Sequence, residues 1–261
     1  MCQSLFGIRE DNLVIMMRGT CKGLSSLMLK RNAIIRNKYA TAQIAPLQEA
    51  ALAERCILVD NLDRPVGEAT KKACHEISAE GNLLLHRAFS VFLFNSKGEL
   101  LLQKRSKHKV TFPSHFTNTC CSHPLAEIPE EMVDEDVIGI RRAAVRRLNY
   151  ELGIPNTEIE LSEFIYLTRI YYKAFSDNSW GEHEIDYVLF LQKDINIDPN
   201  PDEVSEVRWI PRSEIENFVK TVKSPLTPWF RLMFKHKLLH WWDNLGALDK
   251  IQDTDNITTL S

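Results

Sequence analysis

Val137-Ile138-Gly139-Ile140-Arg141-Arg142-Ala143-Ala144-Val145-Arg146-Arg147-Leu148-Asn149-Tyr150-Glu151-Leu152-Gly153-Ile154-Pro155 decides the fold class of this 261-residue chain. Val137, Ile140, Ala144, Leu148 and Leu152 recur at helical spacing and form one apolar face. Asp134-Glu135-Asp136 gives that helix an acidic opening, and Gly153 with Pro155 stops it. On both sides the pattern turns strand-like. Residues 56–59 form a strand running into a turn, residues 88–94 and 99–104 form two strands around Asn95-Ser96-Lys97-Gly98, and residues 166–174 and 185–191 are strand-like again. Helices follow over 213–222 and 228–242. Strands and helices alternating around a long central helix argue an α/β sandwich.

Composition permits one large domain: 44% of the residues are hydrophobic, enough to fill a continuous core. The boundaries suggested are a basic leader at 1–45, the main domain at 46–250 and a tail at 251–261. Between Asp11 and Glu49 the leader has no acidic residue, while Arg18, Lys22, Lys30, Arg31, Arg36 and Lys38 are interleaved with apolar and hydroxyl residues. That is the composition of a mitochondrial presequence or of a disordered basic extension. Cytoplasmic or mitochondrial residence follows, without secretion; Thr259-Leu260-Ser261 does not match the peroxisomal tripeptide, although that compartment stays open. A net charge of -3 gives no reason to expect nucleic-acid binding, so an anionic substrate must be held by a local basic cluster. Cysteines at 2, 21, 56, 74, 120 and 121 lack disulfide-framework spacing and favour a reducing compartment. No apolar run is long enough to span a membrane. A monomer is expected.

Two short stretches carry chemistry: Thr117-Asn118-Thr119-Cys120-Cys121-Ser122-His123-Pro124 and Trp180-Gly181-Glu182-His183-Glu184. On an extended backbone Glu182 and Glu184 point to the same side, so a carboxylate and a thiol can face each other across a small substrate. His75, His86, His123, Glu182 and Glu184 are candidate metal ligands, a nitrogen and oxygen set too large for a four-coordinate, cysteine-rich zinc site and suited to a six-coordinate divalent ion. A structural zinc site through Cys120, Cys121 and His123 is the competing reading, though adjacent thiolates lack the usual separation. His108, His115, His183, His236 and His240 read as surface or hydrogen-bonded histidines. Arg105-Ser106-Lys107-His108-Lys109 follows a strand and is either an anion-binding loop or a solvated surface. Arg147 stands four residues before Glu151, on one helix face, placed for an ion pair with it or for a bound anion. Trp229, in Thr227-Pro228-Trp229, is core or substrate cover. No Walker or dinucleotide glycine motif competes for phosphate.

With Leu85-His86-Arg87-Ala88-Phe89, these stretches closely resemble type I isopentenyl diphosphate isomerase, a Nudix-fold family, over roughly residues 54–245. A Nudix box finishes Arg-Glu-apolar-X-Glu-Glu-X-Gly-apolar. In this chain Arg147 and Tyr150 replace two of its glutamates, and Met132 and Ile138 stand where it wants Gly and Glu upstream. The helix is thus poorly equipped to hold the metals with which Nudix hydrolases activate water. The resemblance implies a Nudix-type α/β/α sandwich with a mixed central sheet, and an enzyme that interconverts isopentenyl and dimethylallyl diphosphate through a tertiary carbocation. It implies Cys121 and Glu184 as the acid–base pair, Tyr172 as their hydrogen-bond partner and Trp229 as the aromatic face over the cation. It implies Lys71, Arg105, Lys109, Ser122 and Arg147 around the diphosphate, with Glu151 binding the accompanying Mg2+. It also implies one further divalent metal, Zn2+, Mn2+ or Mg2+, in a site of three histidines and two glutamates: His75, His86, His123, Glu182 and Glu184. The alternatives are a Nudix-type diphosphate hydrolase and a silent metal-stabilised binding module.

Overall fold

The computed structural model describes residues 46–261; the basic leader falls outside them. Its central helix, α3 (Ile138–Leu152), follows α1 (Pro46–Ala53) and α2 (Lys71–His75). Ile140, Ala144, Leu148 and Leu152 are buried along one face of α3, as their spacing requires. Gly153 ends it at φ 67°, donating its N–H to Asn149 at 3.0 Å. The start differs from the sequence expectation. Glu135–Val137 is a single 3-10 turn, Asp136 and Val137 take φ of 48° and 52°, and Val137 is the residue before α3, its half-buried side chain still packing against the cluster under the helix. Close approach is the reason: a Cβ on Gly139 would lie 2.3 Å from the Glu131 carbonyl oxygen, so the chain must reverse sharply before the helix can begin.

Ten strands make one mixed sheet: β1 (Arg55–Val59), β2 (Pro65–Thr70), β3 (His86–Phe94), β4 (Leu100–Arg105), β5 (Phe116–Thr117), β6 (Cys120–Ser122), β7 (Ile165–Phe175), β8 (Gly181–Gln192), β9 (Val204–Ile210) and β10 (Asp253–Thr259). The main path runs β10-β7-β8-β3-β1-β2; β4 and β6 also pair with β3, and β5 and β9 pair with β4. β3 is buried at all nine positions, as a strand covered on both faces should be. Phe89, Val91 and Leu93 pack with α3, and Phe92 and Phe94 pack on the opposite face. That face carries α4 (Ile215–Thr221), α5 (Pro228–Met233) and α6 (Leu239–Asp243); a π-helical turn, Phe234–Leu238, joins the last two into the rod expected over 228–242. The sheet lies between two helical layers, the α/β/α sandwich expected.

β8 runs parallel to β3 with Glu184 opposite His86, and antiparallel to β7 with Glu184 opposite Tyr172. It begins at Gly181, four residues before the strand start expected at 185, so both glutamates lie inside it. The segment taken as a tail, 251–261, contains β10, which adds to the edge of β7 in parallel.

Replacing Gly139 by alanine should force backbone apart at the start of α3. Overpacking of that kind costs about 1–3 kcal/mol, and melting should fall by about 2–4 °C per kcal/mol in a domain of this size. A melting temperature unchanged in Gly139→Ala would show that the close approach is not a constraint.

Candidate active site

One cavity is lined by Cys121, Trp229, three carboxylates from β8 and a set of basic side chains. The carboxylates follow from strand parity. Glu182, Glu184 and Asp186 continue the even-numbered row of Val188 and Phe190, which packs with Trp229 on the face away from α3. The same alternation on β6 separates the two cysteines: Cys120 is buried in the cluster against α3, while Cys121 faces the cavity. A zinc site using both thiols is excluded, because adjacent strand residues point to opposite faces.

Four ligand atoms meet beside the cavity, from His75 at the end of α2, His86 at the start of β3, His123 just past β6 and Glu184. All lie within 4.8 Å of one another. Glu184 Oε1 is 2.9 Å from His123 Nε2, 3.3 Å from His86 Nε2 and 3.7 Å from His75 Nε2. The Nδ1 atoms of His75 and His86 contact the Lys71 and Leu84 carbonyls at 2.8 and 2.9 Å. A carbonyl only accepts, so each Nδ1 carries the proton and each Nε2 offers its lone pair to the centre. His86 Nε2 has no other hydrogen-bond partner although it is buried. Burial pushes His75 down to about 4 and His123 well below the usual imidazole range; His86, also opposed by burial, is carried up to about 9 by Glu184 and Cys56. Three imidazoles around one carboxylate fit a divalent ion, whose nitrogen ligands at about 2 Å would stand about 3–3.5 Å apart.

Glu182, the fifth expected ligand, stands beside this cluster and not in it. Thr111 donates to its Oε1 at 3.1 Å and the Tyr172 hydroxyl to its Oε2 at 3.0 Å; Tyr172 also bonds Glu184 Oε2. Burial, and then the neighbouring Glu184 charge, push Glu182 up to about 7.

Lys71, Arg105, Lys109, Ser122 and Arg147 all line the cavity, as expected of anion ligands. Arg105 is only 8% exposed, yet among the described residues neither it nor Lys71 forms an ion pair. Its guanidinium donates to the Thr111 and Phe112 carbonyls and lies 5.7 Å from the Trp229 ring centroid. A buried cation without a counter-charge is costly, and a bound anion supplies one. Lys109 and Arg147 share Glu203, at 2.6 and 3.3 Å; burial holds Lys109 down to about 8, whereas Glu203, despite burial, is held at about 2 by Lys109 and Arg147. Gln48 of α1 donates to the other Glu203 oxygen at 2.9 Å. Arg147 also makes the ion pair with Glu151, at 2.5 Å, and its guanidinium lines the cavity as well. Glu151 accepts from Gln103 as well, and it does not line the cavity.

The Cys121 thiol is 2.9 Å from Asn118 Oδ1, 3.0 Å from Trp229 Nε1 and 3.5 Å from Ser90 Oγ. Ser90 donates to Asp186 Oδ2 at 2.7 Å, and Asp186 Oδ1 has no partner. The sequence reading missed Asp186, Asn118, Glu203 and Gln48. The Glu-x-Glu-x-Asp alternation signals Asp186, and Asn118 lies within a quoted motif. Nothing local marks Glu203 or Gln48, which enter from the turn before β9 and from α1, far away in sequence.

The NUDIX domain family matches residues 84–230. The chain is 50% identical over 220 residues to isopentenyl-diphosphate Delta-isomerase 1 of Mesocricetus auratus, covering 83% of this chain and 96% of that protein. It is 48% identical over 223 residues to the Mus musculus protein of the same name, covering 84% and 98%. Isopentenyl-diphosphate Delta-isomerase I of Clarkia breweri is 50% identical over 215 residues, covering 79% of this chain and 75% of the relative.

Purified protein should carry a tightly held divalent ion, lose it in His75→Ala or His86→Ala, and melt lower after chelation, since an ion that binds only the folded state stabilises it by mass action. Elemental analysis and thermal melts read both. Wild-type protein that takes up no divalent metal from a supplemented buffer would refute the centre.

Proposed function

This chain belongs to the isopentenyl-diphosphate Delta-isomerase family, and we propose that Cys121 and Glu184 are the acid–base pair of its reaction. The enzyme interconverts isopentenyl diphosphate and dimethylallyl diphosphate. Neither alkene has an acidic C–H, so one group must deliver a proton to one carbon and another must remove a proton elsewhere, with water kept from the tertiary cation between. The observation that carries the assignment is a single buried cavity lined by one thiol, a carboxylate hydrogen-bonded by Tyr172, and a buried cation with no ion pair.

Each side chain has a role it can perform from where it stands. Arg105 and Lys71 receive the diphosphate, and Lys109 and Arg147 turn to it from Glu203; Ser122 lines the same wall. Trp229 covers the reacting carbons with its ring, its quadrupole attracting the developing cation. Tyr172 shares its hydroxyl between Glu182 and Glu184, and so can pass a proton between them. His75, His86, His123 and Glu184 would hold zinc, manganese or magnesium, with Glu182 reaching it by turning from Thr111. When bound, the ion supplies positive charge that sets the acidity of Glu184. Magnesium accompanying the diphosphate would need Glu151 to exchange Arg147 for the metal. The basic, acid-poor leader supports mitochondrial import alongside cytosolic residence.

The hydrolase reading is weakened by α3, where Arg147 and Tyr150 stand in place of carboxylates and Glu151 is occupied by Arg147 and Gln103. Phosphate release from a diphosphate substrate distinguishes the two.

Cys121→Ala and Glu184→Gln should each lower the isomerisation rate by about 10²- to 10⁴-fold, the usual contribution of a general acid or base. Cys120→Ala should stay within about tenfold of wild type, because Cys120 lies on the other face of β6. Deuterium uptake from heavy water into isopentenyl diphosphate measures the chemistry even at equilibrium. Near-normal uptake by Cys121→Ala would sink the assignment.

Arg105→Ala and Lys109→Ala should raise KM more than they lower kcat, since contacts to a remote diphosphate act equally in ground and transition states. Steady-state kinetics check this. An unchanged KM in both variants would move the anion site elsewhere.

A further inference from the structure

We propose that Asn118 is the positioning residue for the Cys121 thiol; the inference rests on the reading of Cys121 as a reacting group. Asn118 and its neighbour Thr117 are fully buried. The Asn118 amide nitrogen donates to the Val91 carbonyl at 3.0 Å and to the Cys120 carbonyl at 3.1 Å. Carbonyls only accept, so the amide cannot flip without setting oxygen against oxygen, and its Oδ1 is fixed on the cavity side. There it takes donors from three directions: Thr117 Oγ1 at 2.9 Å, Cys121 Sγ at 2.9 Å and Trp229 Nε1 at 3.1 Å.

The directions of the bonds to the Asn118 oxygen follow from the chemistry of its donors. Thr227 donates to Thr117 at 2.9 Å, which leaves the Thr117 proton for Asn118. The indole N–H of Trp229 can only donate, and it is shared between Asn118 Oδ1 and Cys121 Sγ. Ser90, the other hydroxyl beside the sulfur, gives its proton to Asp186. Asn118 Oδ1, at 2.9 Å, is the nearest acceptor for the thiol proton, with the Ser90 and Thr117 hydroxyls farther off at 3.5 and 3.8 Å, while the sulfur accepts from Trp229. The sulfur is held by the side chain of a residue three positions earlier and by a helix more than a hundred residues away. Asn118 thus ties the β6 thiol to α5, the element that presents the Trp229 ring. None of the basic residues around the anion site bonds to Asn118, so the effect belongs to the chemical step and not to diphosphate affinity.

The test uses full-length enzyme with its metal, comparing Asn118→Ala, Thr117→Val and Cys121→Ala. Thr117→Val keeps the two backbone bonds of Asn118 and removes one donor from its oxygen together with the longer 3.8 Å contact of Thr117 to the sulfur, so it reports even where Asn118→Ala fails to fold. A reacting atom misplaced by about 1 Å costs on the order of 10²-fold, so kcat of Asn118→Ala should fall by about that factor, with KM for isopentenyl diphosphate within about threefold. Thr117→Val should lose about three- to tenfold in kcat, again at constant KM. A soluble, metal-loaded Asn118→Ala with kcat within about threefold of wild type overturns the proposal. So does a Thr117→Val with unchanged kcat, and so does a loss in either variant that falls equally on KM. Activity surviving in Cys121→Ala would instead overturn the reading of the thiol; an inactive Cys121→Ala beside an active Asn118→Ala removes this inference alone.

Discussion

Glu184 turns one carboxylate oxygen to three imidazoles and the other to a phenol, and it can do so because β3 and β8 run parallel with His86 opposite Glu184. The side-chain period of a strand is two, so a slip of one residue would send Glu182, Glu184 and Asp186 into the apolar layer under α3. The register is held by burial. Phe89, Val91 and Leu93 on β3, with Ile185, Tyr187 and Leu189 on β8, face one helical layer; Phe92 and Phe94 with Val188 and Phe190 face the other. Both faces of both strands are committed to cores, and the site inherits its geometry from that packing.

The cavity concentrates charge where water is largely excluded. Desolvating an ion costs several kcal/mol unless a partner compensates. Part of the charge is compensated internally: Glu203 takes Lys109 and Arg147, and Arg147 also takes Glu151. Part is not. Among the described residues Arg105 has only neutral partners, the Thr111 and Phe112 carbonyls and the Thr111 hydroxyl, and Asp186 has one oxygen without a partner. Both groups line the cavity. Stability is given up locally and recovered in two fully buried cores. Such preorganised charge acts on a reacting group without reorganising at the moment of reaction.

Arg147 stands at the meeting of the helix and the cavity. Its place on α3 makes an ion pair with Glu151 at i,i+4, as the sequence suggests, and its guanidinium also lines the cavity. Where a Nudix hydrolase keeps carboxylates for metals, this helix has turned one position into a cation. A surface suited to metals becomes one with a buried cation facing the cavity. Trp229 likewise joins two roles: its ring lies in the core-facing wall beside Arg105, and its N–H reaches the thiol.

The sequence alone determined the layers of the sandwich, the helix α3 and its stop at Gly153, and the same-side placement of Glu182 and Glu184, because hydrophobic periodicity and strand alternation are local properties. Through motifs and the resemblance they carry it also picked out candidate metal ligands, of which His75, His86, His123 and Glu184 meet in the structure. It did not determine where α3 begins, since the left-handed turn at Asp136 and Val137 answers the contact between Gly139 and Glu131. Nor did it show that residues 253–259 join the sheet, that Glu182 is held aside by Thr111, or that Glu203 and Gln48 reach the basic cluster. Those facts depend on which distant segments meet, and only packing of the whole chain brings them together. Asn118 stands between the two cases. Its identity was in plain view beside Cys121, but its function is set by the carbonyls of Val91 and Cys120 behind it and the indole of Trp229 before it, partners assigned by tertiary structure alone.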